Sequence, residues 1–328
     1  MLRPEIVWFA AVFAFSLLAL GVSLRRGWAW YLAVDVPNDR SLHSLPVPRV
    51  GGVLMMPWVL LGALGLTGNA MLVGLAGMLV IISFADDRFG LPVALRFLAH
   101  LLLSGLAAAE VGVVGVLGLL LATLAIAWMT NLFNFMDGSD GLAGGMAAFG
   151  FGAYAIAAFQ AGDLPTAQFS MCVVGGALAF LAFNFSPARI FLGDAGSISL
   201  GFLAAVLGLE GWQMGAWNAW FPFLVFSPFV VDASVTLIRR ALRRERVWRA
   251  HREHGYQKLV QCGWSHRKLA LAEYALMLAC SGSALALLRA EHGIQAFTLV
   301  AWAAGYGGLI VWVDRKWKYG AMCRGGQA

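Results

Sequence analysis

The residues best suited to chemistry in this sequence are acids, bases and amides grouped in short segments between long apolar stretches. Asp86 and Asp87 directly follow one apolar stretch, and adjacent carboxylates at such a boundary repel each other unless a proton or a cation lies between them. Asp194 lies between Gly193 and Gly196, which permit tight turns, and its carboxylate could bind a hard cation. These acids suggest a Mg²⁺ site, although a solvated helix end would explain the Asp86–Asp87 pair by itself.

A third polar segment repeats at intervals of three residues. Asn131, Asn134, Asp137 and Asp140 follow one another at this spacing in an apolar context, with glycines after the two acids. At a helix end, positions 131, 134 and 137 share a face, so their amides and carboxylate could meet one ligand. A polar helix cap would account for Asp137 or Asp140 alone, but not for the whole series.

The basic residues that could act together with these acids lie in a loop before the second apolar stretch. Arg40, His43 and Arg49 precede the pair Gly51–Gly52, which suits a loop that packs closely and binds anions. An ordinary basic loop with proline turns is the other reading. Mg²⁺ usually takes one or two carboxylates and completes its shell with phosphate oxygens, so acids and bases together favour phosphoryl transfer.

Composition excludes a water-soluble globule. The 328 residues are 60% hydrophobic and 12% charged, whereas soluble domains carry about 25% charged residues. The surroundings must be lipid, and we predict a single all-α, polytopic membrane domain over residues 1–328. The net charge of +6 is then explained by basic loops on one side of the membrane and does not indicate nucleic-acid binding.

The apolar stretches predict eleven membrane-spanning helices. As one helix, the stretch 97–130 would be about 50 Å long, so it is expected to cross twice, turning near Glu110; a single crossing would give ten spans. The stretches are 6–24, 51–67, 70–84, 97–130, 142–160, 166–185, 196–211, 217–238, 269–288 and 294–313.

The distribution of Lys and Arg agrees with eleven spans and a periplasmic N-terminus. In that arrangement every Lys and Arg except Arg3 and Arg289 lies on the cytoplasmic side, as the positive-inside rule requires. The loops 25–50, 85–96, 131–141, 186–195 and 239–268 then share that side. The basic loop 239–268 is expected mainly to contact anionic membrane lipids.

At these residues the chain resembles the polyprenyl-phosphate N-acetylhexosamine-1-phosphate transferases. The resemblance extends from Asp35 to His266 and rests on four motifs in order: DxPxxRxxHxxPxPRxGG, DD, NxxNxxDGxDGL and FxGDxGS. It implies a multi-pass enzyme of the bacterial inner membrane, with cytoplasmic catalytic loops. The implied reaction transfers HexNAc 1-phosphate from a UDP-N-acetylhexosamine, such as UDP-GlcNAc or UDP-FucNAc, to undecaprenyl phosphate and releases UMP.

The resemblance also implies roles for individual residues. Asp194 would hold Mg²⁺, or Mn²⁺ in its place, with help from Asp137 or Asp140. Asp87, with Asp86, could act as a base, a metal contact or a positioning group. The implied substrate-binding residues are Arg40, His43, Arg49, Asn131, Asn134, Phe191, Gly193 and His254. Among these, Phe191 could instead be an aromatic anchor at the membrane interface. Whether the enzyme forms a homodimer is left open.

A fifth family motif, rich in histidine, is only partly matched. Gly263 sets its frame, and His254 is the one histidine of the H-x-H-H pattern that remains. This departure argues against the peptidoglycan branch. Within the family, the chain most resembles the enzymes that initiate O-antigen. The sugar-nucleotide role expected for loop 239–268 therefore depends on His254.

Two other functions are weighed against this one. A proton-coupled transporter could use the intramembrane residues Asp232 and His100, but the acids cluster in loops and not between repeats at the midplane. A CDP-alcohol phosphotransferase would need an arginine and two further acids after Asp140-Gly141, and these are absent.

Overall fold

A computed structural model describes residues 4–37, 42–246 and 251–325. The chain in these ranges is almost entirely helical, as predicted. The helices are α1 (Pro4–Arg25), α2 (Trp28–Leu32), α3 (Gly51–Thr67), α4 (Ala70–Phe89), α5 (Val93–Glu110), α6 (Val116–Phe135), α7 (Leu142–Ala161), α8 (Leu164–Asn184), α9 (Asp194–Gln213), α10 (Trp220–Val225), α11 (Ser227–Leu242), α12 (Gly255–Gln261), α13 (His266–Leu287) and α14 (His292–Gly325).

Within the described ranges, nine of these helices are long and apolar enough to cross a membrane. They are α1, α4 to α9, α13 and α14. The shorter helix α3 is also apolar, with 17 residues. The stretch 97–130 forms two helices, α5 and α6, and α5 ends at Glu110. The predicted division of this stretch into two helices of membrane-spanning length is therefore confirmed, with its turn at the predicted place.

The stretch 217–238, predicted as one span, is divided into α10 and α11. The division falls at Phe226, and Pro228 follows at the start of α11, where a missing backbone N–H costs no hydrogen bond. The Ser227 hydroxyl makes hydrogen bonds to the Leu224 carbonyl at 2.6 Å and the Tyr306 hydroxyl at 2.7 Å. These bonds satisfy polar groups at the break and join it to α14.

Helix α4 extends further than its apolar residues indicate. The predicted stretch ended at residue 84, but the helix continues to Phe89 and is closed by Gly90 in the left-handed region. Asp86 and Asp87 therefore lie in the last turns of α4 and not in a loop after it. Their directions are fixed by the helix, so the two carboxylates diverge.

The core lies where α7, α8 and α9 are covered by their neighbours. Helix α8 packs against α1, α3 and α7, and α9 packs against α4 and α6. Among the residues that the structure describes, the largest fully buried side chains are aromatic, including Tyr154, Phe180 and Phe202. Antiparallel neighbours in this bundle bring the C-terminal ends of α4, α6 and α8 to the same end as the N-terminal ends of α3, α7 and α9.

Two short backbone ladders join loops at this end. Strands β1 (Val34–Asp35) and β2 (Val47–Pro48) pair antiparallel. Beyond β2, the backbone N–H groups of Gly51 and Gly52 donate to the carbonyls of Phe191 and Leu192 at 2.9 and 2.7 Å. The basic loop before α3 is thereby attached to the loop before α9.

Candidate active site

A cavity of about 370 Å³ opens where these loops meet. Its walls come from the segments before α3, after α6, before α9, and on both sides of α12. The predicted site residues in its lining are His43, Arg49, Asn134, Asp137, Asp140, Phe191, Gly193 and Asp194. Four distant parts of the chain thus meet at one site, as the sequence predicts; the membrane side on which it lies stays a prediction.

Arg49 connects two of the predicted acids on the cavity floor. Its Nη2 atom donates to Asp87 Oδ1 and, at 3.0 Å, to Asp194 Oδ1. The side chain of Asp87 is 1% exposed, whereas that of Arg49 is 30% exposed and reaches the cavity. The Ala195 backbone N–H lies 3.4 Å from Asp87 Oδ2. Asp87 therefore lies behind the cavity wall, while Asp194 lies in it.

Asp86 has a separate environment. It accepts hydrogen bonds from Arg96 Nη1 and from the Leu91 backbone N–H at 2.7 Å. Arg96 Nη1 also lies 3.7 Å from Asp194 Oδ2. Arg88, next in sequence, instead donates to two main-chain carbonyls before β1. The repulsion expected between Asp86 and Asp87 is thus relieved by two different arginines, and Asp86 does not line the cavity.

Gly193 is required by the backbone next to Asp194. Its φ is +73°, and a Cβ there would lie 2.6 Å from the Arg49 carbonyl oxygen and 2.9 Å from Asp87 Oδ2. Any side chain would separate the two segments that carry Arg49 and Asp194. The tight turn predicted at Gly193 therefore has a geometric basis.

Asp137 and Asn134 form the wall contributed by the end of α6. Asn134 Oδ1 accepts a hydrogen bond from the Ser197 hydroxyl at 3.0 Å, which joins α6 to α9. Burial raises the pKa of Asp137 well above its ordinary value, and the nearby charge of Asp194 raises it further. A bound cation would offset both effects, because it stabilises the ionised carboxylate.

The donor chemistry fits a divalent cation that is completed by a ligand. Asp137 and Asp194 face the cavity, and Asp87 lies against Arg49 directly behind it. In the described parts of the chain, no three His, Cys, Asp or Glu side chains are already arranged as a metal cage. Mg²⁺ usually takes one or two carboxylates together with phosphate or water oxygens, so Asp137 and Asp194 are the residues that could hold it.

Asp140 belongs to a network that joins three loops. Its Oδ2 accepts from the Ala188 N–H at 3.1 Å. His266 makes hydrogen bonds through Nδ1 to the Ser139 hydroxyl at 2.8 Å and through Nε2 to the Leu42 carbonyl at 3.2 Å. Asp140 and His266 therefore hold the loops before α3, α7 and α9 around the cavity. His266 was not predicted as a site residue, although the family resemblance extends to it.

His254 was expected to contact the sugar nucleotide, but of the two histidines just before α12, His251 is the one that lines the cavity. His254 is 3% exposed, and its Nδ1 lies 3.6 Å from Asp232 Oδ1. His251, Tyr256 and Gln257 line the cavity in its place. Burial, assisted by nearby cationic side chains, lowers the pKa of His251 to about 4. His254 thus supports the wall from behind, and a neutral His251 faces the cavity.

His43 and Phe191 form the opposite rim. Their rings meet edge to face, with centroids 4.9 Å apart, and His43 Nε2 lies 3.4 Å from Asp35 Oδ2. Phe191 is on the cavity lining, where a planar base could stack on it. Arg40, the other predicted basic residue of this loop, lies outside the described residues.

Asn131 and Asp232 lie away from the cavity. Asn131 Nδ2 donates to the Ala127 carbonyl at 2.7 Å, and its side chain is beside His100 on α5. Asp232 accepts from the Gly255 and Tyr256 backbone N–H groups at 2.7 and 3.0 Å. Asp232 therefore holds the start of α12 in position. This structural use gives no support to a proton relay between Asp232 and His100.

Much of the predicted lipid-facing basic stretch is paired within the protein. Arg239 Nη1 donates to Asp314 Oδ2 at 2.7 Å, and Lys258 Nζ lies 3.0 Å from Asp314 Oδ1. Arg240 and Arg243 both contact Glu253. These pairs connect α11, α12 and α14; contact of the remaining arginines with lipid stays a prediction.

Known proteins similar to this chain include polyprenyl-phosphate N-acetylglucosamine phosphotransferases. The glycosyl transferase family 4 model matches residues 69–211. The "Probable undecaprenyl-phosphate N-acetylglucosaminyl 1-phosphate transferase" of Bacillus subtilis is 29% identical over 293 residues, covering 81% of this chain and 80% of the relative. The "Decaprenyl-phosphate N-acetylglucosaminephosphotransferase" of Mycolicibacterium smegmatis is 30% identical over 305 residues, covering 76% and 75%.

A relative with a different substrate in its name shares only part of the chain. The "Phospho-N-acetylmuramoyl-pentapeptide-transferase" of Geobacillus thermodenitrificans is 36% identical over 153 residues, which cover 45% of each chain. The similarity thus spans most of the chain for proteins named as N-acetylglucosamine transferases, and a shorter segment for this one.

Proposed function

Because this chain belongs to glycosyl transferase family 4, we propose that it transfers an N-acetylhexosamine 1-phosphate from a UDP-sugar to undecaprenyl phosphate. An oxygen of the acceptor phosphate attacks the β-phosphorus of the UDP-sugar. The bond from that phosphorus to the bridging oxygen breaks, and UMP leaves with the bridging oxygen. The product is a lipid pyrophosphate that carries the sugar.

The single observation that carries the proposal is the meeting of Arg49, Asp137 and Asp194 at one cavity, with Asp87 bound to Arg49 directly behind it. The reaction must bring two anions together, and this requires fixed positive charge as well as acids for a cation. Asp194 and Asp137 are the residues that would hold Mg²⁺, or Mn²⁺ in its place. When bound, the cation would neutralise the pyrophosphate and stabilise the departing UMP.

Among the roles considered for Asp87, positioning has the best support. Its carboxylate is 1% exposed and already accepts hydrogen bonds from Arg49 and Ala195. A phosphomonoester has its second pKa near 6, so the acceptor is mostly dianionic at neutral pH and needs little help from a base. Asp87 would fix the Arg49 guanidinium and the turn that carries Asp194.

The donor end of the substrate would lie against Phe191, Asn134 and the loop before α12. Phe191 offers a face for uracil, and Asn134 offers an amide to the nucleotide. The neutral imidazole of His251 and the amide of Gln257 could meet sugar hydroxyls, a role predicted for His254. The names of the relatives make UDP-GlcNAc the first donor to test, with UDP-FucNAc as the second.

The cellular setting follows the same proposal. The active site would face the cytoplasm of a bacterial inner membrane, where UDP-sugars are available, and its product would initiate O-antigen or another polysaccharide. Anionic lipids would contact the outward-facing arginines of residues 239–268. A homodimer is compatible with the proposal but is not required by the site.

The test is an assay with purified protein in nanodiscs. Undecaprenyl phosphate and Mg²⁺ would be combined with UDP-GlcNAc, UDP-FucNAc, UDP-GalNAc or UDP-glucose, and UMP and the lipid product would be measured by mass spectrometry. We expect stoichiometric UMP and lipid-pyrophosphate sugar from at least one N-acetylhexosamine donor. Absence of both products with every donor would contradict the proposed reaction.

A further inference from the structure

Arg49 occupies an unusual place for a substrate-binding arginine. One of its nitrogen atoms donates to both Asp87 and Asp194, so its positive charge lies where the two carboxylates converge. Asp194 is also within 3.7 Å of Arg96, but Arg96 is held mainly by Asp86. Within the described residues, Arg49 thus forms ion pairs with both Asp87 and Asp194, whereas Arg96 lies near Asp194 but not Asp87, and Arg49 comes from a different loop.

We propose that Arg49 is a built-in counter-ion that competes with the divalent cation for Asp194. The inference rests on the proposed function only in assuming that a divalent cation binds at Asp194. Two positive groups cannot both lie against the same carboxylate oxygens without repulsion, so cation binding displaces the guanidinium from Asp194. Substrate-free protein is thereby kept intact without metal.

The surroundings of Arg49 give the displaced guanidinium somewhere to go. Its side chain is 30% exposed and already lines the cavity, whereas Asp87 is 1% exposed. The main chain on both sides of Arg49 is held by hydrogen bonds to the Phe191–Leu192 segment, and the Arg49 N–H donates to the Ala33 carbonyl, so only the side chain needs to move. A guanidinium released into the cavity meets phosphate oxygens, to which it can donate two parallel hydrogen bonds.

The competition predicts opposite effects on stability and on metal affinity. Replacing Arg49 by Met keeps most of the side-chain volume and removes the charge, so buried Asp87 loses its counter-ion. We expect the apparent Tm in EDTA to fall. We also expect Mn²⁺ affinity without substrate to rise by about tenfold or more, because the cation no longer displaces a competitor. The Tm increase caused by Mn²⁺ should be larger than in the wild type.

The experiment measures free Mn²⁺ by EPR during titration of the full-length protein in nanodiscs, with thermal unfolding in parallel. Arg49→Lys retains a charge that forms fewer hydrogen bonds, and its Mn²⁺ affinity should lie between those of wild type and Arg49→Met; it also serves if the Met variant does not fold. Arg88→Met is the control, because Arg88 is one residue from Asp87 but donates only to main-chain carbonyls. Its Mn²⁺ affinity should equal that of the wild type.

Unchanged or weaker Mn²⁺ binding in both Arg49 variants would overturn the inference. Failure of the proposed function is read separately, as absence of UMP release by wild-type protein. Turnover by the wild-type protein, with unchanged Mn²⁺ affinity in the variants, would contradict the counter-ion role of Arg49 and remain consistent with the proposed reaction. Tighter Mn²⁺ binding by the variants without UMP release from any donor would support the counter-ion role and contradict the proposed reaction. Absence of Mn²⁺ binding by any variant, even with UDP, would contradict both the counter-ion role and the proposed reaction.

Discussion

A Cβ atom on Gly52 would lie 2.1 Å from the backbone nitrogen of Gly196, because the first turns of α3 and α9 touch through their main chains. This contact joins the basic loop that carries Arg49 to the loop that carries Asp194. Because both contacting groups are main chain, no flexible side chain can move to relieve a clash at this point. The separation between the two functional residues therefore depends on the absence of two Cβ atoms.

Gly52→Ala is expected to destabilise the protein and to reduce turnover. Overpacking at a rigid contact costs about 1–3 kcal/mol, and separation of the helices moves Arg49 away from Asp194. Thermal unfolding and UMP release would be measured together. Gly74→Ala is the matched control, since no atom of the described structure lies within 4 Å of a Cβ there. Equal behaviour of the two variants would contradict the role of the contact.

Asp137→Asn is expected to stabilise the metal-free protein by an amount that increases with pH. Folding raises the pKa of Asp137, so the folded state binds this proton more tightly, and stability is lost as pH increases from the unfolded pKa towards the folded one. The variant removes that loss. Its apparent Tm in EDTA should exceed the wild-type value more at pH 8 than at pH 5.

Mg²⁺ should reverse this order if Asp137 faces the cation. Wild-type protein should gain more in Tm from Mg²⁺ than Asp137→Asn does, and the variant should turn over more slowly. A variant that is less stable than wild type in EDTA at pH 8 would show that the carboxylate is not repelled by its surroundings.

His251 should remain neutral throughout the working pH range. Its pKa of about 4 means that stability is lost as pH falls from about 6.5 towards that value, where the unfolded chain takes up a proton first. His251→Gln should therefore leave the shape of the pH profile of kcat/KM unchanged between pH 6 and 8. If it removes one hydrogen bond to the donor, kcat/KM falls by about 2- to 12-fold. A wild-type ionisation near pH 6.5 that disappears in the variant would contradict this.

His266→Ala should lower activity through the positions of the loops. The imidazole joins Ser139 to the Leu42 carbonyl, so its loss leaves polar groups unpaired at a cost of about 1–3 kcal/mol. We expect a lower apparent Tm and slower UMP release, with partial recovery in His266→Gln. His292→Ala, at an exposed histidine that begins α14 beyond the far end of α13, is the control and should match the wild type.

Sequence reasoning succeeded where apolar length or exact spacing dominates. The double crossing at Glu110 follows from the length of the stretch 97–130, and the meeting of the loops follows from an even alternation of the helices. Glycines beside Arg49 and Asp194 indicated close approach, and Gly52 and Gly193 have it. Each of these features follows from the length, order or glycine content of segments that can be recognised in the sequence.

Sequence reasoning was less informative where a contact with a residue distant in the chain determines the structure. Asp86 and Asp87 marked a helix end because charge is costly in an apolar segment, yet Arg96 and Arg49 allow α4 to continue past them. The segment around His251 and His254 has no periodicity, so their directions depend on Asp232, which orients the start of α12. Asn131 shares a spacing with Asn134 but lies beside His100 on the neighbouring helix.

The most direct test of the central claim, that carboxylates from distant loops act at one site, is UMP release by Asp194→Asn compared with Asp163→Asn. Asp163 caps α8 at the other end of α7 and α8, where its side chain accepts from the Thr166 N–H at 3.2 Å, and Asn can retain that cap. With an N-acetylhexosamine donor that wild-type protein uses, Asp194→Asn should lose roughly 100-fold or more in kcat, with Asp163→Asn near the wild type. Full turnover by Asp194→Asn at the same Mg²⁺ concentration would contradict the account.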